Sequence, residues 1–145
     1  MKKLLPILFV LIITSCSKEV PSDQLVERDG VYYEVNSQTP FTGTTFSNWD
    51  NGQLKYKGKF IDGKHDGLHE SFHESGQLWS TKKFIDGKED GLHEDYHENG
   101  QLWMKSNYKD GNLDGVYENY DEKGQLISKS CLKNGKQTDM SYCEK

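Results

Sequence analysis

The chain has 145 residues, 33% of them hydrophobic, and carries 18 basic and 23 acidic side chains for a formal charge of −5. That acidic balance argues against nucleic acid or an anionic membrane surface as a partner. The length suits one domain.

The first segment, MKKLLPILFVLIITSC, has a basic start at Lys2 and Lys3, an apolar run from Leu4 to Ile13, and small residues before Cys16. This is the layout of a secretion signal, too short for a stable membrane span. Ile13-Thr14-Ser15-Cys16 resembles the bacterial lipobox, which implies removal of residues 1–15 and lipid attachment at Cys16. Two or more acyl chains would tether the protein stably. The expected location is therefore the cell envelope, as a membrane-anchored lipoprotein, in the outer membrane if the host is Gram-negative. Loss of Lys2 and Lys3 takes the formal charge to about −7. Residues 16–30 are polar, contain Pro21 and show no clear period, so they are expected to form a tether.

Beyond residue 30 a repeat dominates. The tetrads NGQL (51–54), SGQL (75–78), NGQL (99–102) and KGQL (123–126) recur every 24 residues. Gly43, Gly67, Gly91 and Gly115 keep the same spacing, as do Asp62-Gly63, Asp86-Gly87, Asp110-Gly111 and Asn134-Gly135. Residues 67–90 and 91–114 agree at 13 of 24 positions. Each unit holds two short segments, such as LHESFH and LWSTKKFI, bounded by Asn-Gly or Asp-Gly pairs that supply the positive-φ positions of hairpin turns. The glycines leave room for only about two helical turns between Gly67 and Gly76, less than is stable alone. The units are therefore expected to be β-hairpins, and the fold class all-β.

Strict alternation places Leu68, Glu70 and Phe72 on one face and His69, Ser71 and His73 on the other, with His93 and His97 repeating the pattern. Leu54, Leu78, Leu102 and Leu126 form one apolar column, and Phe60, Phe84, Tyr108 and Leu132 another; both are expected to stack as a core ladder. Trp79 and Trp103 share a column on the opposite face from these. Two readings are open for them: cross-strand packing, or, with the outlying Trp49, a partner-binding surface.

The frames FIDGKHDGLHESFHESGQL, FIDGKEDGLHEDYHENGQL and YKDGNLDGVYENYDEKGQL resemble the MORN-repeat variant family. The resemblance runs from residue 31 to about 139, with VYYEVNSQTPFTGTTF (31–46) as a degenerate first unit and residues 51–145 as tandem hairpins with a C-terminal cap. It implies an elongated, twisted antiparallel sheet of successive hairpins. Many bacterial members carry an antitoxin-like label.

HESFH (69–73) and HEDYH (93–97) spell H-E-x-x-H, the zinc-protease signature. On a helix the two histidines reach one metal; on a strand they stand roughly 13 Å apart. The third repeat replaces the motif by YENYD (117–121), and no histidine follows His97. The signature is therefore read as coincidental, with no metal, no cofactor and no catalytic residue expected. His69, His73, His93 and His97, beside their glutamates, remain candidates for a partner-binding face that gains charge as pH falls. Cys131 and Cys143 lie opposite each other if the last turn centres near Gln137, which permits a disulfide that clamps the C-terminal edge.

The functional expectation is a lipid-anchored scaffold that binds another envelope protein through a sheet face. The alternative is an antitoxin or immunity-type protein that neutralises a toxin. A metal-dependent envelope hydrolase is the third reading.

Overall fold

The computed structural model describes residues 18–144. Among them the strands are β1 (Glu19–Pro21), β2 (Leu25–Arg28), β3 (Val31–Glu34), β4 (Gly43–Asn48), β5 (Leu54–Ile61), β6 (Lys64–Phe72) and β7 (Leu78–Ile85). They continue with β8 (Lys88–Tyr96), β9 (Leu102–Lys109), β10 (Asn112–Tyr120), β11 (Leu126–Lys133) and β12 (Lys136–Thr138). Strands β4 to β12 form one antiparallel meander in chain order, and β1 joins its first edge in parallel with β4. The expected sheet of tandem hairpins is what the chain forms. Among the described residues no helix is long and apolar enough to cross a membrane.

The turn chemistry explains the hairpins. Asp62 and Gly63 have φ of 48° and 74°, the paired positive values of a type I′ turn, and Asp86-Gly87, Asp110-Gly111 and Asn134-Gly135 repeat them. Each turn is bonded to the strand that follows the preceding turn: Gly87 N donates to His65 O of β6 and Gly111 N to Glu89 O of β8, at 2.8 and 2.9 Å. The stack therefore has hydrogen bonds outside the ladders as well as within them.

Two kinds of register break recur in every repeat. Across β6 and β7, Ser71 faces Ser80 but Phe72 faces Leu78, so Trp79 is an extra, unpaired residue. Trp103 is its equivalent between β8 and β9. Within the hairpin of β5 and β6, Gly58 faces His69 and Phe60 faces His65. Three residues of β6, centred on Gly67 at φ +86°, thus oppose the single residue Lys59. β8 repeats this around Gly91, where Lys82 faces His93 and Phe84 faces Glu89. Such bulges bend a strand and re-aim its side chains.

The buried apolar centre lies at the N-terminal end, where Val20, Phe41 and Phe60 pack with Leu25 and Tyr32. Over residues 18–30, the described part of the expected tether at 16–30, this is a correction. Asp29-Gly30 is itself a positive-φ turn, and it folds β2 onto β3 as a separate two-stranded sheet. Val20 and Leu25, diluted in a polar composition, anchor the segment over the first repeat. The first repeat is corrected too, since Val31–Glu34 pairs with β2 and not with the main sheet.

At the other end Cys131 and Cys143 form a disulfide with Cα atoms 6.1 Å apart. The last turn is at Asn134-Gly135 and not near Gln137, because Cys131 faces Thr138. Cys143 arrives after a 3-10 turn, Met140–Tyr142, whose Tyr142 hydroxyl donates to Asp114 Oδ1 at 2.8 Å.

Candidate functional site

The inner face of the sheet carries the polar chemistry, and the Gly67 and Gly91 bulges create it. Partners two residues apart on β5, Gly58 and Phe60, face residues four apart on β6. His69 and His65 are thereby drawn to neighbouring sites about 7 Å apart along the strand, not about 13 Å. Their Nδ1 atoms lie 3.3 Å from each other. In the next repeat Glu89 Oε1 and His93 Nδ1 approach to 2.7 Å by the same device. Alternation along an unbroken strand could not show these pairs.

His69 is buried, 4% exposed, with ring contacts to Phe60, Phe84 and His65. Its Nε2 is 2.9 Å from Lys59 O. A carbonyl only accepts, so Nε2 carries the proton and Nδ1 accepts from the Tyr56 hydroxyl at 2.6 Å. Burial is the main cause that pulls its pKa down to about 4. Burial also lowers that of His65, against the pull of Glu27, and raises that of Tyr56. The cluster is neutral near pH 7. A methyl group on Gly58 would meet the Tyr56 hydroxyl and come within 2.6 Å of His69 Nδ1, so the missing side chain makes room for this bond. A cavity of about 370 Å³ beneath the β2–β3 hairpin opens beside it, lined in part by Leu25, Tyr32, Thr45, Phe60, Tyr56 and His65.

His93 is equally buried, at 6%, but its surroundings are ionic. Burial would lower its pKa, yet Asp95, 3.1 Å from Nε2, and Glu89, 2.7 Å from Nδ1, together raise it to about 9. The Glu89 contact is an ion pair not aligned as a hydrogen bond. The imidazolium in turn helps hold Asp95 below the usual carboxylate range, against the effect of burial. Tyr108 packs on the ring at 5.6 Å, and Lys82 stands opposite His93 across the strand pair.

The HESFH and HEDYH segments run from strand into turn, not along a helix. His73 and His97 do not share the inner site. Their Nε2 atoms donate to Tyr96 O and Tyr120 O in the following repeat, at 3.2 and 3.1 Å. Trp49, 24 residues before His73, does the same through Nε1 to Phe72 O at 3.0 Å. It is thus no outlier but the first member of the capping column, half-buried under Lys55.

Trp79 and Trp103 are 47% and 46% exposed. Each ring lies against the histidine of its own repeat, with His73 6.2 Å away at 47° and His97 6.1 Å away at 45°. As bulge residues they do not follow the alternation that had been expected to set their face. The expected apolar core ladder is only partial: Phe60 is buried, whereas Leu126 is exposed. Leu68 and Leu92 are exposed as well, on the outer face. There Lys57, Glu70, Thr81, Glu94, Lys105, Glu118 and Lys129 form one cross-strand row of mostly alternating charge. Cys16 lies outside the described residues.

Four tandem copies of the MORN repeat variant model match residues 41–62, 66–86, 89–110 and 113–134, more than half of the chain. The chain belongs to the MORN repeat variant family. No curated protein and no solved structure matches it. The matched copies of the MORN variant begin at residue 41, beside β4, which agrees with the observed start of the main antiparallel array.

The residues missed from sequence were Tyr56, His65, Glu89 and Asp95. The available signal was the x-Asp-Gly-x-His spacing of 65–69 and 89–93, in which a glycine interrupts the strand between residues four apart.

Proposed function

We propose that this MORN variant is a protein-binding scaffold of the cell envelope, anchored through lipid at Cys16, which presents Trp79 and Trp103 to another envelope protein. The observation that carries this reading is the pair of half-exposed indoles in matching poses, each backed by a histidine that is itself tied to the next repeat. Preordered aromatic side chains lose little freedom when covered, which favours them as interface anchors. The row of mostly alternating Lys and Glu on the sheet fits a partner of complementary charge order. Binding, not catalysis, is the role proposed, because the histidines of the H-E-x-x-H matches are divided between a buried strand position and a turn cap.

The test begins with protein isolated from the membrane fraction of the native host. Its intact mass should correspond to a chain that starts at Cys16 and carries acyl groups; an unprocessed chain starting at Met1 would remove the anchor. A co-purifying envelope protein should be lost when Trp79 and Trp103 are both replaced by Ala, while the thermal midpoint stays close to that of the wild type. Retention of the partner by that variant would refute the proposed face. Capture of a soluble toxin in its place would support the antitoxin alternative.

A further inference from the structure

We propose that Tyr56, His65 and His69 form a zinc-binding site that opens onto the cavity beneath the β2–β3 hairpin. The spacing of the two imidazoles is the first reason. Two nitrogens each about 2.0–2.1 Å from a tetrahedral zinc lie about 3.3 Å apart, and the two Nδ1 atoms are separated by 3.3 Å. The second reason is the bond from His69 Nε2 to Lys59 O, which puts the ring's lone pair on Nδ1, where it accepts from the Tyr56 hydroxyl until a metal takes it. A backbone carbonyl on the distal nitrogen is the usual orienting partner of a metal-bound histidine.

Tyr56 supplies the third donor. Its hydroxyl, 2.6 Å from His69 Nδ1, must withdraw by less than about 1 Å to reach a tetrahedral edge. Gly58 leaves the space in which this can occur. The fourth position would face the cavity, where water or another small donor completes the shell. The proton balance is simple. His65 moves its proton to Nε2, and the phenol releases one to solvent as it becomes the ligand. Among the described residues no three His, Cys, Asp or Glu side chains form such a group, and the phenol is what completes this one. A tetrahedral set of two imidazoles and an oxygen favours zinc over copper, which prefers tetragonal geometry.

The test uses tag-free, full-length protein stripped with chelator and titrated with zinc chloride near neutral pH by calorimetry. One equivalent should bind with micromolar or tighter affinity, and His65→Gln and His69→Gln should each abolish it. Tyr56→Phe should bind more weakly and release about one proton fewer. His93→Gln should bind as the wild type does. Cobalt in the unaltered protein should give the intense visible bands of four-coordination, which tests the site even if His69→Gln does not fold. Affinity weaker than millimolar, six-coordinate cobalt, or zinc binding that survives His65→Gln unchanged would each overturn the proposal.

Discussion

In the second repeat a histidine lies between Phe60 and Phe84 and shares its ring nitrogens with a carbonyl and a phenol. In the third, the histidine in the same slot lies between two carboxylates and against Tyr108. The backbone is the same in both places, down to the glycine bulge that brings the residue four positions earlier alongside. What differs is the identity of that earlier residue, His65 in one and Glu89 in the other, and of the cross-strand neighbours. One ring is driven toward a pKa of about 4 and the other toward about 9. A repeat scaffold therefore fixes where a side chain stands without fixing its charge, so identical motifs in adjacent repeats need not share a role.

The largest test of that contrast is substitution at the two slots. His93→Gln strands two largely buried carboxylates and is expected to lower the unfolding free energy by about 3 kcal/mol at neutral pH. His69→Gln removes a neutral hydrogen-bonding group and should cost about 1–2 kcal/mol. Urea titrations of both variants measure this, and equal losses would erase the distinction.

The pH dependence should separate the two slots by sign. Because the folded pKa of His93 is about 9, above its ordinary 6.5, its contribution is complete below about pH 6.5 and lost as pH rises through 9. The size is on the order of 3 kcal/mol. The folded pKa of His69 is about 4, so its contribution is present above pH 6.5 and lost as pH falls through 4. Thermal melts should therefore show an alkaline decline that disappears in His93→Gln. In chelator-treated protein, NMR should find His69 neutral with its proton on Nε2.

Smaller substitutions on the opposite strands sharpen the comparison. Gly58→Ala should push Tyr56 and His69 apart and cost about 1–3 kcal/mol. Ser106, which faces His93, has no bonded partner for its hydroxyl among the described residues. Ser106→Ala should change stability by less than about 0.5 kcal/mol, the smallest effect in the series. Denaturant midpoints distinguish the two.

Much of the array was legible in the sequence because its punctuation is local. Asp62-Gly63 and its equivalents specify their turns without help from distant residues, and the 24-residue interval states how many hairpins follow. The candidate site was less legible because it depends on register. Gly67 was visible as a repeated glycine, but its consequence, that His65 meets His69, exists only once β6 is paired with β5. The indole column likewise rests on a bulge that alternation cannot reveal. At the N-terminus, Val20 and Leu25 gain their meaning from Phe41 and Phe60, far along the chain. Averaged composition hides such a pair of anchors.

The parallel strand β1 has a further consequence for an acylated chain. Lys18 O already accepts a hydrogen bond from Thr44 N, and Cys16 is only two residues earlier in the sequence, so lipid at Cys16 would be separated from the sheet by at most about 7 Å of chain. A protein standing on that edge would convert strand number into altitude, at about 4.8 Å per strand. The ten strands would then rise about 40 Å, with Trp79 near 20 Å and Trp103 near 30 Å above the anchor. A membrane-bound partner would then have to project to that height, and the sheet would act as a spacer as well as the proposed surface.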